Sequence, residues 1–225
     1  MESDTKRNPD RTISFFRERL AEWAKGNTRE FPWRETEDPY KICVAEIMLN
    51  QTGANKVAPV YLEFIKRYPT IKRLSSGRVP TLKRIIHPLG FLYRAERLRL
   101  MAKYVEQTYG GQMPDDYPGL CSIPGVGQYT ASAILCFAFG QKVPIIDTNV
   151  VRVFTRFFGL KRKLPTSAAN VELSTITLSA LPAKNVKQYN YAILDFAAVI
   201  CSHYKPSCQN CPVESECRGS LRVHN

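Results

Sequence analysis

The sequence predicts an all-α protein, and three observations support this prediction. Apolar residues recur at helical spacing through most of the chain. Prolines and glycines interrupt these segments at intervals typical of helix ends. Strand-like alternation of apolar and polar residues is hard to find, and its best candidate, VPIID at 143–147, is too short to build a sheet.

The predicted helices follow one another along the chain. Ile13, Phe16, Leu20 and Trp23 define the first helix, and the following Gly26-Asn27 pair is a stop signal. After a connector at 31–40, the segment KICVAEIMLNQ is almost entirely apolar, which predicts a buried helix with one conspicuous acid, Glu46. Further helical patterns cover 56–67, 80–86, 94–108, the region around 121–140, 149–158, 171–181 and 187–200.

The charge balance favours a polyanionic partner. The chain has 225 residues, enough for one large domain or two modest ones, with 32 Lys and Arg against 20 Asp and Glu and a net charge of +12. Bound basic residues displace condensed counterions from phosphates, although a solvated basic surface is the alternative explanation. We expect no membrane partner and a cytoplasmic location, nucleoid-associated in a prokaryote or nuclear in a eukaryote, because neither a membrane-spanning run nor a secretory signal is evident.

Four of the seven cysteines crowd the C-terminal region in the pattern C-x6-C-x2-C-x5-C. Four thiolates at this spacing can bind a 4Fe-4S cluster or a tetrahedral zinc ion. The spacing favours the cluster, because zinc sites usually show two C-x2-C pairs, but it leaves zinc open. Disulfides are less compatible with a cytosolic chain that has three further cysteines. The four predicted metal ligands are Cys201, Cys208, Cys211 and Cys217.

A glycine-rich turn lies between two apolar stretches in CSIPGVGQYTASAILCFAFG, residues 121–140. Gly125 and Gly127 permit positive φ and a close approach of the backbone to a ligand, and the next helix begins near Gln128 with unpaired N–H groups. The backbone around Gly125, Val126 and Gly127 can therefore bind a DNA phosphate without reading the base sequence. A simple helix–helix turn is the alternative.

Two acids lie in apolar surroundings, Glu46 and Asp147. Burial raises the pKa of a carboxyl group unless charges or hydrogen-bond donors oppose it. The segment TNVVRV that follows Asp147 also predicts a helix N-cap. Capping and catalysis are compatible, because the backbone N–H groups would keep the carboxylate ionised.

The order of six segments resembles the helix-hairpin-helix DNA glycosylases that carry an iron–sulfur cluster. These segments are FPWR, AEIMLNQT, LGFLYRAERL, IPGVGQYTASAIL, IIDTNVVRV and the cysteine pattern, and the resemblance covers roughly residues 12–217. The resemblance implies a 4Fe-4S cluster and a two-domain endonuclease III-like fold. A six-helix barrel domain with the helix-hairpin-helix would cover 31–141, and a cluster domain would combine 1–30 with 142–225.

The resemblance also implies the reaction. Such enzymes flip a nucleotide out of the DNA stack and break its N-glycosidic bond. The partner would be double-stranded DNA with a mismatched or damaged base, bound by a monomer. Endonucleases of this family place a lysine where Tyr129 stands here; a phenol cannot form an imine, so strand cleavage should be absent or weak, and Tyr129 would line the base pocket.

Thymine or uracil opposite guanine is the expected substrate. Tyrosine at position 129 is typical of thymine/uracil mismatch enzymes, whereas MutY-like adenine glycosylases usually have serine there. Those adenine enzymes also continue into another domain, and this chain ends eight residues after Cys217. Adenine opposite 8-oxoguanine or guanine stays the alternative, favoured by Gln51 and by the spacing of LGFLYRAERL. A redox-responsive DNA-binding protein without activity would need neither Glu46 nor Asp147.

The resemblance assigns a role to each candidate residue. Asp147 would stabilise the cationic sugar, Glu46 would polarise or protonate the departing base, and Asn149 would orient Asp147 or the sugar. The remaining candidates would contact DNA, with Gln51 and Leu92 filling the gap left by the flipped nucleotide and Arg94 and Arg97 contacting phosphates.

Overall fold

A computed structural model of the chain describes residues 9–160 and 171–219. These residues form α-helices, short 3-10 turns and loops, without a strand among them. The all-α prediction is therefore confirmed, and the VPIID segment forms no strand in this part of the chain. The α-helices are α1 (Pro9–Ala24), α2 (Pro39–Leu49), α3 (Ala54–Arg67), α4 (Ile71–Ser75), α5 (Val79–Ile86), α6 (Tyr93–Tyr109), α7 (Tyr117–Ser122), α8 (Gln128–Phe137), α9 (Thr148–Phe158), α10 (Val171–Ser179) and α11 (Val186–Val199).

One difference from the sequence-based expectation has a simple cause. Helix α4 was not predicted, because its five residues supply only two buried apolar side chains, Ile71 and Leu74, which is too few to show a period. The glycine-rich turn separates α7 from α8, as the sequence indicated. None of the described helices is long and apolar enough to span a bilayer.

The chain divides into two compact units. One unit is Glu30–Gln141, and the other combines the described residues up to Arg29 with those from Lys142 onward. The first unit contains α2–α8 and therefore both the glycine-rich turn and Glu46. The second unit contains α1 and α9–α11, and with them Asp147 and the four C-terminal cysteines.

Helix α2 is the centre of the first unit. Asp38 caps its N-terminus by accepting from the backbone N–H of Tyr40 at 2.9 Å, and every residue from Ile42 to Met48 is buried. Helices α3, α6 and α8 all pack against α2, so it has no solvent face. This explains why α2 is nearly all apolar, and it makes Glu46, which is only 7% exposed, an acid inside the packed unit.

Aromatic packing holds the second unit together. Phe16 of α1 is fully buried and contacts Phe154 and Phe157 of α9 and Phe196 of α11, with ring centroids 4.8–6.5 Å apart. Edge-to-face and tilted ring pairs of this kind add to the stabilisation from burial. The N-terminal segment is also tied to α11, because Arg29 Nε donates to the fully buried carboxylate of Asp195 at 2.7 Å.

Candidate functional site

The glycine-rich turn joins α7 to α8 with two different backbone conformations. Gly125 has a φ of +88°, and a Cβ placed on it would lie 2.3 Å from Cγ of Arg97. Glycine is therefore required here both by conformation and by the close approach of the arginine. The side chain of Val126 is buried, and its backbone N–H donates to the carbonyl of Ile123 at 3.0 Å.

Gly127 is the N-cap of α8 and supplies no side-chain hydrogen bond to the helix. It is exposed in extended backbone, and a Cβ placed on it would meet no atom within 4 Å. The first N–H groups of α8 therefore begin at an open surface, without a capping side chain from Gly127. Such N–H groups and the positive end of the helix dipole attract anions, which agrees with the predicted phosphate site.

Tyr129 and Glu46 lie on two helices that pack against each other. Tyr129 is half-buried in the first turn of α8, and Glu46 is buried in α2. Burial and then the charge of Glu46 raise the pKa of the fully buried Cys43 thiol to about 12. Cys43 is consequently an inert core residue, whereas Glu46 is the acid of this helix.

Gln51 is presented at the tip of the turn between α2 and α3. It is exposed and has a φ of +59°, one of two positive φ values recorded among the described non-glycine residues. Such a conformation is uncommon outside glycine, asparagine and aspartate and persists when surrounding contacts fix it. The contacts come from Arg94.

Arg94 is fully buried and holds this turn from below. Its Nη1 donates to the carbonyl of Met48 and to the hydroxyl of Thr52, both at 2.9 Å, and its Nη2 donates to the carbonyl of Asn50. The structure corrects the role expected for Arg94, because a guanidinium with no exposed surface is occupied by the turn and does not reach a phosphate. The helical spacing of apolar residues predicts which face of a helix is buried, but it does not predict that an arginine is buried as well.

Three consecutive large apolar side chains are exposed where α6 begins. Phe91, Leu92 and Tyr93 are 42%, 37% and 45% exposed. Large apolar residues rarely cluster on the surface of a protein without a binding role. Leu92 is thus available at the surface, as its predicted role in filling the DNA stack requires.

Asp147 is the N-cap of α9 and is held by three donors. Its Oδ1 accepts from the backbone N–H groups of Asn149 at 2.8 Å and Val150 at 2.7 Å, while its Oδ2 accepts from Nδ2 of Asn149 at 2.6 Å. Asp147 is half-buried, and these three hydrogen bonds fix the orientation of its carboxylate. The predicted pairing of Asp147 with Asn149 is present.

Arg152 extends this arrangement, and sequence reasoning missed it. Its Nη1 donates to Oδ1 of Asn149 at 2.9 Å, its Nε to the carbonyl of Cys201 at 2.8 Å and its Nη2 to the carbonyl of Ala197 at 2.8 Å. A continuous path therefore runs from the carboxylate of Asp147 to the first of the four clustered cysteines. The sequence shows only that Arg152 follows Asp147 on the same predicted helix.

Tight turns arrange the four clustered cysteines. The N–H of Cys211 donates to the carbonyl of Cys208 at 3.0 Å, and that of Cys217 donates to the carbonyl of Glu214 at 3.1 Å. Arg156 holds the preceding loop by donating to the carbonyls of Ser202 at 2.7 Å and His203 at 3.0 Å. All four thiols are half-buried.

The four thiols also lie close enough to influence one another. Burial above all, and then the charges of the other three cysteines, raise the pKa of Cys211 to about 12. Burial above all, and then the charges of Cys201 and Cys208, raise the pKa of Cys217. Within residues 9–160 and 171–219, no set of three or more His, Cys, Asp or Glu side chains is arranged around a single metal ion. Four cysteine thiols are the donor set of an iron–sulfur cluster or of a structural zinc ion, and either group would remove their protons on binding.

The chain matches the model of one protein family. The model of the HhH-GPD superfamily base excision DNA repair proteins matches residues 44–176. This range includes Glu46, the glycine-rich turn and Asp147, and it is more than half of the chain.

Curated relatives share most of the sequence. A thymine-DNA glycosylase of Aeropyrum pernix is 37% identical over 91% of this chain and 94% of its own length. A thymine/uracil-DNA glycosylase of Pyrobaculum aerophilum is 36% identical, covering 88% of each chain. An adenine DNA glycosylase of Buchnera aphidicola is 32% identical over 93% of this chain but 59% of its own length.

Solved structures share the fold. A thermostable thymine-DNA glycosylase has a TM-score of 0.88 and 31% sequence identity, covering 94% of this chain and 98% of its own. A trapped endonuclease III–DNA covalent intermediate has a TM-score of 0.84 with 20% identity, covering 96% and 99%, which shows the fold alone. The expected endonuclease III-like fold is confirmed.

Proposed function

Since the chain belongs to the HhH-GPD superfamily of base excision DNA repair proteins and is a DNA glycosylase, we propose that it removes thymine or uracil mispaired with guanine. The observation that carries this proposal is Tyr129, half-buried in the first turn of α8 directly after the glycine-rich turn. A phenol at this place cannot form an imine with the sugar, so the enzyme would hydrolyse the N-glycosidic bond and leave the strand intact. The names of the Aeropyrum and Pyrobaculum relatives support the choice of base.

Asp147 would stabilise the sugar during base release. Breaking the N-glycosidic bond leaves positive charge on the deoxyribose, and a carboxylate already oriented by three donors needs no rearrangement to oppose that charge. The bonding electrons leave with the base, and water supplies the hydroxyl group at the sugar carbon. Asn149 would keep the carboxylate in place.

Glu46 and Tyr129 would act on the departing base. The burial of Glu46 in an apolar helix suits a proton donor or a group that polarises the base through water. Tyr129 would line the pocket on the neighbouring helix α8 and limit which base fits. We propose residues 31–141 as the barrel domain, and residues 1–30 with 142–225 as the cluster domain.

Double-stranded DNA would be bound through the first unit without sequence reading. The N–H groups at the start of α8 would hold a phosphate, while Gln51 and Leu92, both exposed, would occupy the gap left by the flipped nucleotide. We propose that one monomer carries out the reaction at chromosomal DNA, in the cytoplasm or, in a eukaryote, the nucleus.

Cys201, Cys208, Cys211 and Cys217 would hold a 4Fe-4S cluster. When bound, the group would fix the C-terminal loop, with Lys205, against the DNA backbone. Iron analysis and visible absorption of the purified protein test this: about four iron atoms per chain are expected. One zinc ion per chain without visible absorption would refute it.

Adenine removal opposite 8-oxoguanine or guanine is the second candidate. It is favoured by the adenine DNA glycosylase relative of Buchnera aphidicola and by Gln51 on its constrained turn. Glu46 serves both candidates and does not separate them.

A panel of duplexes separates the candidates. Single-turnover assays would use G·T, G·U, 8-oxoguanine·A and G·A duplexes, each analysed with and without alkali. Release of thymine and uracil, with strand breaks only after alkali, is the expected result. Release of adenine alone would replace the proposal with the second candidate, strand breaks without alkali would contradict the role of Tyr129, and binding without release of any base would indicate a non-enzymatic DNA-binding protein.

A further inference from the structure

The three elements of the first unit that would contact DNA are linked by one series of side-chain contacts. These elements are the turn bearing Gln51, the loop bearing Leu92 and the glycine-rich turn. Four side chains connect them, with an arginine at each end and two aromatic rings between the arginines. We call this series the arginine–aromatic ladder, and its members are Arg94, Phe91, Tyr93 and Arg97.

One end of the ladder fixes the Gln51 turn. The guanidinium of Arg94 lies 4.9 Å from the centroid of the Phe91 ring, while its nitrogens donate to Met48, Asn50 and Thr52. The planar guanidinium can do both at once, because its face binds the ring and its edge carries the N–H donors. Phe91 is thereby connected to the turn that holds Gln51 at positive φ.

The other end of the ladder meets the glycine-rich turn. Tyr93 contacts Phe91 edge-to-face with centroids 6.0 Å apart, and the guanidinium of Arg97 lies 5.2 Å from the Tyr93 ring. The aliphatic part of the Arg97 side chain lies so close to Gly125 that it leaves no room for a Cβ at this position. Leu92 lies between the two aromatic residues in the chain, so its backbone is held from both sides.

The placement of these groups is not explained by folding of the unit alone. Phe91 and Tyr93 are more than 40% exposed, so they contribute little to the core. Aromatic rings at the surface that are nevertheless fixed by cations form a rigid platform at low cost in side-chain entropy.

We propose that the ladder sets the spacing between Gln51, Leu92 and the phosphate-binding turn, which makes Arg97 and Tyr93 positioning residues for nucleotide flipping. The inference rests on the proposed function, because it assumes that Gln51 and Leu92 enter the DNA stack. Extruding a nucleotide requires unstacking of the DNA. Gln51 and Leu92 can both enter the stack only if the distance between them stays the same while the DNA is distorted. The ladder therefore matters for DNA with a gap in the stack and has little role on fully paired DNA.

The test compares two duplexes with four variants. Arg97→Met removes the contact with Tyr93, and Tyr93→Leu removes the contacts with both Arg97 and Phe91. Neither Arg97 nor Tyr93 is buried, so folding is preserved better than with a change at the buried Arg94. Their double variant completes a cycle. Arg73→Met, on the exposed surface of α4, is the matched control for loss of one positive charge. Affinities would be measured at one salt concentration for a paired duplex and for a duplex with a tetrahydrofuran abasic analogue opposite guanine.

The expected result is selective weakening. Arg97→Met and Tyr93→Leu should each lower affinity for the abasic duplex about two- to fivefold, whereas the paired duplex should lose no more than with Arg73→Met. The double variant should be no weaker than the weaker single variant, since both changes break the same contact. Thermal unfolding would verify that the variants fold.

Two outcomes would overturn the inference. Equal losses of affinity for the paired and abasic duplexes would indicate that Arg97 only contacts a phosphate. Additive losses of affinity in the double variant would show that Arg97 and Tyr93 act separately. A wild-type enzyme that releases only adenine would refute the proposed substrate but would leave this affinity test intact, so the two failures are distinguishable.

Discussion

At the residue scale, Asp147 combines a structural task with the chemical task that we propose for it. Its Oδ1 caps α9, while its Oδ2 is bound only by a side chain, that of Asn149, among the recorded contacts of the described residues. The cap holds the carboxylate in one orientation. A group that stabilises developing charge gains most when it is oriented before the reaction begins.

Asp147→Asn separates these tasks. Asparagine keeps a carbonyl oxygen for the two backbone N–H groups, so folding and duplex affinity should stay close to wild type. Base release should fall by at least about hundredfold, because the negative charge is gone. Single-turnover kinetics on G·T duplex and a binding assay check this, and a fully active variant would contradict the assignment of Asp147.

At the element scale, the glycine-rich turn shows how two glycines serve different purposes. Gly125 allows a left-handed backbone and the approach of Arg97, whereas Gly127 has an ordinary extended backbone and open space around it. The first glycine is needed by the protein itself. The second leaves room for a ligand.

Gly125→Ala should therefore affect the stability of the protein, whereas Gly127→Ala should affect DNA binding. Gly125→Ala should lower the free energy of unfolding by about 1–3 kcal/mol, because alanine is strained at a φ of +88° and its Cβ meets Arg97. Gly127→Ala should change stability by less than about 0.5 kcal/mol but weaken duplex binding, because its methyl group stands where a phosphate would approach. Denaturant unfolding and duplex titration measure both quantities, and unchanged duplex affinity of Gly127→Ala would argue against a phosphate at this turn.

Helix α9 is the second element with a combined role. It carries Asp147 at its start, and Arg152 and Arg156 in later turns bind the loop that begins at Cys201. One helix thus connects the carboxylate with the cysteine region.

Arg152→Met should weaken this connection. It leaves the carbonyls of Ala197 and Cys201 and the amide oxygen of Asn149 without these donors, which should cost about 1–3 kcal/mol of stability. Base release should fall about tenfold through poorer orientation of Asn149, a modest part of what a positioned group contributes. Conservative Arg152→Lys should restore part of the rate, and a rate equal to wild type in Arg152→Met would show that the contact has no bearing on catalysis.

At the scale of the whole molecule, charge is distributed unevenly. Residues 64–95 contain eight Lys and Arg and no Asp or Glu, a large share of the net charge of +12. Several of these cations, including Arg67, Arg73 and Arg78, are exposed. A basic surface of this kind attracts DNA over a distance and without regard to sequence.

Binding to paired DNA should consequently depend strongly on salt. Affinity should fall at least about tenfold between about 50 and 200 mM monovalent salt, because each neutralised phosphate contributes a slope of about −0.9 in log–log form. The single-turnover rate at saturating enzyme should change little. Asp147 is half-buried and would interact with the sugar over a short distance, so salt would screen that interaction only weakly. Fluorescence anisotropy over a salt series measures the slope, and salt-independent affinity would contradict the electrostatic account.

The sequence by itself determined the features whose signals lie within a few residues. The all-α class, the buried nature of α2, the N-cap at Asp147, the glycine turn and the cysteine spacing all follow from local periodicity and local chemistry. Only the tertiary structure decided the burial of Arg94 and the contacts of Arg97 and Arg152. Arg94 binds a carbonyl 46 residues away, and Arg152 binds one 49 residues away. An arginine looks the same in a sequence whether it meets solvent, a phosphate or a backbone carbonyl, because its partner is chosen by packing between distant segments.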